Sequence, residues 1–178
     1  MSKESIKKIQ KRNSNFWRRL LTKCLILGLR IKSVDVKAYI LQALGKIGDD
    51  LADPIILDAA KSKDNTIRRF AISALADIGN DRAIDAIIDA LNDKESDIRA
   101  TAAMSLGLLG VMKAEDHLIK LLDDKNDSVR TQAIIALGNL RSNKAFTKLN
   151  QMTLTETNEW IRRYISQAII EIEGGHRS

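Results

Sequence analysis

The residues able to do chemistry in this 178-residue chain are few and scattered: two histidines (His117 and His176), one cysteine (Cys24), and the carboxylate pair Asp85 and Asp89. A metal centre needs clustered ligands, and no second His or Cys stands near either histidine, so neither a metal site nor a cofactor is expected. The i, i+4 spacing of Asp85 and Asp89 puts both carboxylates on one helix face. General acid/base work needs a pKa moved by burial or by a neighbouring charge, and nothing in the surrounding pattern buries them. No phosphate loop, nucleophile elbow or dinucleotide fingerprint occurs. A lone cysteine excludes an internal disulfide. The chemistry-bearing residues therefore point away from an enzyme and toward a binding protein.

What positions them is a repeat. The pattern [Val/Ile]-[Lys/Arg]-x-x-[Ala/Ile]-x-x-x-[Leu/Ile] returns five times, with its basic member at Lys37, Arg68, Arg99, Arg130 and Arg162. A near-constant period of 31 residues marks stacked copies of one supersecondary unit. In each copy the apolar positions, for example Ile98, Ala102, Leu106 and Leu109, follow the 3.6-residue period of a helix, here termed helix A. Gly48, Gly79 and Gly110 close helix A where a left-handed residue is needed, and Arg141 breaks that rule in the fourth copy. A second register, Ala52, Ala83, Ala114 and Ala145, each followed four residues later by Ile or Leu, defines helix B. Thr66, Asp97 and Ser128, two before the arginine, are the expected N-caps of helix A. Gly28, Gly45, Gly107 and Gly138, inside the helical patterns, are expected to allow close packing of successive copies.

On these residues the chain resembles HEAT-repeat proteins of the phycobilisome-lyase-like group, over roughly residues 20 to 173. The resemblance implies an all-α, right-handed solenoid of about four helix pairs, with an N-terminal capping helix and a final unpaired helix. It also implies an inter-repeat ladder between an acid ending helix B and the arginine six later, here the pairs Asp93/Arg99, Asp124/Arg130 and Glu156/Arg162. The group spans scaffolds, chromophore lyases and a few enzymes, so phycobilin attachment or chaperoning stands as the alternative to a scaffold. The His-Glu pairs of the HEAT-repeat di-iron hydroxylase are absent from the sequence.

The organisation expected is a basic, flexible tail over 1–15, a capping helix over 16–33, the repeat array over 34–173 and a tail over 174–178. The formal charge of +6 is uneven: residues 1–32 hold ten Lys/Arg and one acid, a net of +9, which leaves 33–178 at −3. No stretch approaches the roughly 20 apolar residues of a membrane span, and the reading is a cytoplasmic protein. In the capping helix Leu21, Leu25 and Leu29 fall in the helix B register, while Phe16, Trp17, Leu20 and Ile26 stand among Arg18, Arg19, Lys23 and Arg30. Such a mixture serves either a partner helix or an anionic surface, membrane or nucleic acid.

In an array of this kind the polar positions of the B helices are the first place to look for a ligand. They include Asp58, Asp85, Asp89, Asp116 and Lys120. This acidic lining disfavours a nucleic-acid backbone in the groove, because each phosphate contact wants a Lys or Arg. It favours a protein or peptide, and a basic one. Trp17, Arg18 and Arg19 at one end and Trp160 at the other are the remaining candidate contacts. The function read from the sequence is a non-catalytic protein-interaction scaffold.

Overall fold

The computed structural model describes residues 3–174. Among them are ten α-helices, one 3-10 turn and no strand. The helices are α1 (Lys3–Gly28), α2 (Val34–Ile47), α3 (Asp53–Ala59), α4 (Asn65–Ile78), α5 (Asp81–Ala90), α6 (Ser96–Leu108), α7 (Glu115–Leu121), α8 (Asp127–Asn139), α9 (Asn143–Thr155) and α10 (Glu159–Gly174), with the 3-10 turn at Met112–Ala114. Helices α2, α4, α6, α8 and α10 are the A helices of the five pattern copies. Helices α3, α5, α7 and α9 are the B helices. Helix α1 begins at Lys3, so most of the segment expected as a flexible tail is helical. Helix α10 includes Gly174, and the rest of the expected C-terminal tail lies outside the described residues. No helix among the described residues is long and apolar enough to cross a membrane.

The chain divides into two compact units, Met1–Ile78 and Gly79–Ser178. In the first, α1 packs on α2, α2 runs along α4, and α3 rests on α4. Its core holds Leu41, Leu44, Ile56, Ile72 and Leu75, all buried. In the second, α6 runs along α8 and α8 along α10, while α5, α7 and α9 rest on α6, α8 and α10. Its core holds Ile98, Leu106, Leu118, Leu137, Leu149 and Ile165. The alanines that open the B register, Ala52, Ala83, Ala114 and Ala145, are almost fully buried, as the small residue there requires. Gly107 shows how tightly the A helices approach: a Cβ added there would lie 2.6 Å from the Cα of Ala136. Gly45 meets Ala74 and Gly138 meets Ala168 in the same way.

Both helix ends follow a local rule, one where the sequence placed it and one not. Gly48, Gly79 and Gly110 have φ of 59°, 64° and 67°. Arg141 takes φ 50° and makes the same turn. The Ser142 N–H donates to the Leu137 carbonyl at 3.0 Å, as the Val111 N–H donates to that of Leu106 at 3.1 Å, so both turns close with the six-to-one bond of a Schellman motif. The N-caps differ from expectation: Thr66, Asp97 and Ser128 lie inside the first helical turn. Asp64 Oδ1 accepts from the Ile67 N–H at 3.1 Å, and Asn126 Oδ1 from Ser128 and Val129 at 2.9 and 3.3 Å. A cap must precede the free N–H groups that it satisfies, and an Asx side chain two to three residues upstream has the reach to do so.

Candidate interaction surfaces

The repeat arginine is the best-held charge in the molecule, though its partners are not those expected. Arg99, 8 % exposed, donates from one guanidinium nitrogen to the backbone carbonyls of Asp93 (2.8 Å) and Lys94 (3.1 Å). Its Nε and other terminal nitrogen form a two-point bond to the carboxylate of Asp124, at 2.7 and 2.8 Å. The residue six before thus supplies a carbonyl, and the carboxylate bonded to Arg99 comes from the segment after α7, 25 residues later. Asp124 is held below the usual carboxylate range chiefly by that hydrogen bond to Arg99. Arg130 repeats the arrangement more loosely, with the Asp124 carbonyl at 3.0 Å, the Glu156 carboxylate at 3.4 Å and Asp127 at 2.7 Å. Arg68 donates to the carbonyls of Ser62 and Lys63. Arg162 is half-exposed and reaches only Glu159, at 4.0 Å, among the described residues. A planar guanidinium that satisfies carbonyls and a carboxylate together is a structural fitting, with four of the five N–H donors of Arg99 engaged within the protein.

The B-helix polar positions are exposed: Asp58 in the first unit, and Asp85, Asp89, Asp116 and Lys120 in the second. Two of these carboxylates carry lysines from the following repeat. Lys113 Nζ sits 2.6 Å from Asp85, and Lys144 Nζ sits 3.2 Å from Asp116. Both lysines stand 28 residues after their acid, so the rung repeats with the period. Lys148 pairs in the same way with Asp123. The acidic surface expected from the sequence is therefore partly neutralised by lysines of the next copy that fold back over it, a contact for which the local pattern carries no signal. Asp89 and Asp58 make no ion pair among the described residues.

Glu115 has a role that sequence reasoning missed. It is buried at the start of α7, where it accepts from the hydroxyl of Ser142 at 2.7 Å and pairs with Lys144 at 3.2 Å. Ser142 in turn accepts from the Ala145 N–H and so caps α9. Lys144 is raised above its ordinary pKa by Glu115 first and Asp116 second. One buried carboxylate thereby ties the B helix of one repeat to the B-helix cap of the next. The only available sequence signal was a Ser and a Glu 27 residues apart.

At the ends, the candidates separate. Arg18 turns inward, its Nε 3.7 Å from Asp49, which is 2 % exposed. Arg19 and Trp17 point outward, and Trp17 stacks edge-on against Phe16 at 5.4 Å. Leu21, expected in the buried helix B register, is exposed. Trp160 is exposed at the start of α10 with the Arg163 guanidinium 4.9 Å over its ring. Also at that end, a depression of about 340 Å³ is lined by Gly138, Asn139, Arg141, Glu171 and Gly174. It holds none of the residues singled out from the sequence as binding contacts.

The remaining reactive side chains stay apart. His117 has a buried Nδ1 without a hydrogen-bond partner, and Cys24 is exposed on α1. No group of three or more His, Cys, Asp or Glu among the described residues is placed to hold a metal.

Comparison with known proteins agrees with this architecture. A family model described as HEAT repeats matches residues 23–106 and 84–170. No curated protein matches the chain. Among solved structures, the complex of CpcE and CpcF of phycocyanin lyase from Nostoc sp. PCC7120 contains a chain similar to this one. The two share 21 % identity over 86 % of this chain with a TM-score of 0.73, and the match spans 65 % of that chain's length. An engineered protein is similar at TM-score 0.60 and 21 % identity, over 86 % of this chain and 80 % of its own. A designed armadillo repeat protein in complex with the peptide (KR)4 is similar at TM-score 0.61 and 17 % identity, over 83 % and 80 % of the two chains. At these identities the likeness shows the fold: stacked helical repeats of the HEAT and armadillo solenoid class.

Proposed function

Because the chain belongs to the HEAT-repeat family, we propose that it is a non-catalytic scaffold that binds a protein or peptide, with the exposed carboxylates of its B helices receiving the partner's cationic side chains. The observation that carries this reading is the set Asp85, Asp89 and Asp116, all exposed on neighbouring B helices of the second unit. Two of the three are engaged only by half-exposed lysines. Such surface pairs are worth little, about 0–1 kcal/mol, so an incoming arginine with its two-point geometry displaces them readily. A designed armadillo protein of the same fold class is seen with a peptide of alternating Lys and Arg, the chemistry this surface would take.

The test is a fluorescence-anisotropy titration of labelled (KR)4 with the full chain and with the Asp85→Ala/Asp89→Ala/Asp116→Ala variant. Three lost contacts of about 0.2–1 kcal/mol each lower affinity by about threefold to 150-fold. An unchanged affinity in the triple variant sinks the B-helix surface as the binding face.

A second reading rests on the likeness to the phycocyanin lyase chain: attachment or chaperoning of a linear tetrapyrrole. Co-expression with a bilin-binding apoprotein and the tetrapyrrole should then give a coloured covalent adduct. A colourless product under conditions where an authentic lyase works removes it.

A further inference from the structure

Helix α1 has two apolar faces, and the first unit uses only one. Thr22 is fully buried, with its hydroxyl donating to the Arg18 carbonyl at 3.0 Å. Leu25, Ile26 and Leu29 are half-buried on the same side, and Gly28 sits against Ile40 of α2. Arg18 Nε lies 3.7 Å from the buried carboxylate of Asp49, so its charge too is turned to that side. Ile26, unexplained by the B register, is thereby accounted for.

The other face is bare. Phe16, Leu20, Cys24 and Leu27 follow one another at i, i+4, i+8 and i+11, with Trp17 and Leu21 alongside, and all six are exposed. Phe16 and Trp17 are 61 % and 65 % exposed and Leu27 is 58 % exposed. Between Phe16 and Leu27 this stripe runs about 17 Å along the helix. Arg19, Lys23 and Arg30, exposed as well, line one border of it, and residues 1–32 carry a net charge of +9.

We propose that α1 docks on an anionic lipid bilayer, lying in the interface plane with Phe16, Trp17, Leu20 and Leu27 among the acyl chains and Arg19, Lys23 and Arg30 at the headgroups. A long helix of low overall hydrophobicity, with Trp, Phe and Leu on one face and Lys and Arg beside them, has the composition of an interfacial helix. The shape of the surface favours lipid over an acidic protein. The stripe is the exposed side of a single helix, so a rigid partner would have to supply a matching groove, whereas a fluid interface conforms to it. The high positive charge matches an anionic headgroup layer, whose attraction is felt within a Debye length and weakens with salt. This docking is independent of the B-helix surface, and either can fail without the other.

The test uses the full chain in the Trp160→Phe background, so that Trp17 is the remaining tryptophan, titrated with vesicles of phosphatidylcholine alone or mixed with phosphatidylglycerol. Anionic vesicles are expected to shift Trp17 emission to the blue, neutral vesicles are not, and added salt is expected to weaken binding. Leu20→Glu/Leu27→Glu, which alters exposed side chains only, is expected to weaken vesicle binding about tenfold or more. Unchanged helicity by circular dichroism shows that the variant remains folded. Equal binding to neutral vesicles, equal binding by the double variant, or no blue shift with anionic vesicles overturns the proposal. So does retention of α1 by nucleic acid or an acidic protein without vesicle binding.

Discussion

Helices α8 and α10 carry the same repeat register and finish it in opposite ways. Eight residues after the repeat arginine, α8 has Gly138, against which Ala168 of α10 packs so closely that a Cβ at residue 138 would lie 3.0 Å from its Cα. At the same register position α10 has Ile170, 61 % exposed. The arginines differ in parallel: Arg130 reaches the carboxylate of Glu156 after α9, while Arg162 among the described residues pairs only with Glu159 on its own helix. Two features that knit one copy to the next, the missing side chain and the arginine rung, are thus present inside the second unit and absent on the outer face of α10. A branched side chain at Ile170 excludes another A helix at the distance that Gly138 allows. Identical spacing in the sequence therefore does not mean identical mechanical use.

The rung between Arg99 of α6 and Asp124, just before α8, is where this contrast breaks hardest. Asp124→Ala strands the buried guanidinium of Arg99 and is expected to lower unfolding free energy by about 3–5 kcal/mol, read as a lower urea midpoint. Glu159→Ala, which removes the neighbour of exposed Arg162, should stay within about 0.5 kcal/mol of the parent. Equal effects would mean that the interior rung is no stronger than the terminal pair.

Packing gives the next largest effect. Gly107→Ala pushes a Cβ into the backbone of α8 and should cost about 1–3 kcal/mol, whereas Ile170→Ala on the outer face should change stability by about 0.5 kcal/mol or less.

The same rung has a pH signature. Because Arg99 depresses the Asp124 pKa, the stabilisation is fully present above the unfolded carboxylate value of about 3.9 and is lost as pH falls through the lower folded value. Asp124→Asn should therefore show a flatter decline of the urea midpoint below about pH 4 than the parent does. A slope identical to the parent's would remove Asp124 as a contributor to acid sensitivity.

The smallest effect is a gain. Arg141→Gly relieves a left-handed non-glycine residue and should stabilise the α8 turn by about 1 kcal/mol, while glycine already occupies that column at Gly110.

Much of the fold was legible because it repeats. The period located every A and B helix, the alanine column proved buried from Ala52 to Ala145, and the glycine column proved left-handed at all three positions. The candidate surfaces were harder to read. A spacing of six residues between Asp93 and Arg99 could not show that the arginine takes the carbonyl of one and the carboxylate of Asp124, because both lie within reach of a long guanidinium. Nor did the B-helix aspartates announce Lys113 and Lys144, which reach them only after the chain has turned back on itself.

The sequence by itself determined the all-helical repeat, its period, the residues of its core and the uneven charge that sets the first 32 residues apart, since each follows from local periodicity and composition. Tertiary structure alone decided which carboxylate each arginine and lysine meets, that Glu115 is buried beneath Ser142, and which side of α1 is left bare. Those outcomes depend on distances between residues 25 to 30 positions apart and on the rotation of a helix about its axis. Packing fixes both, and neither is written in the order of the residues.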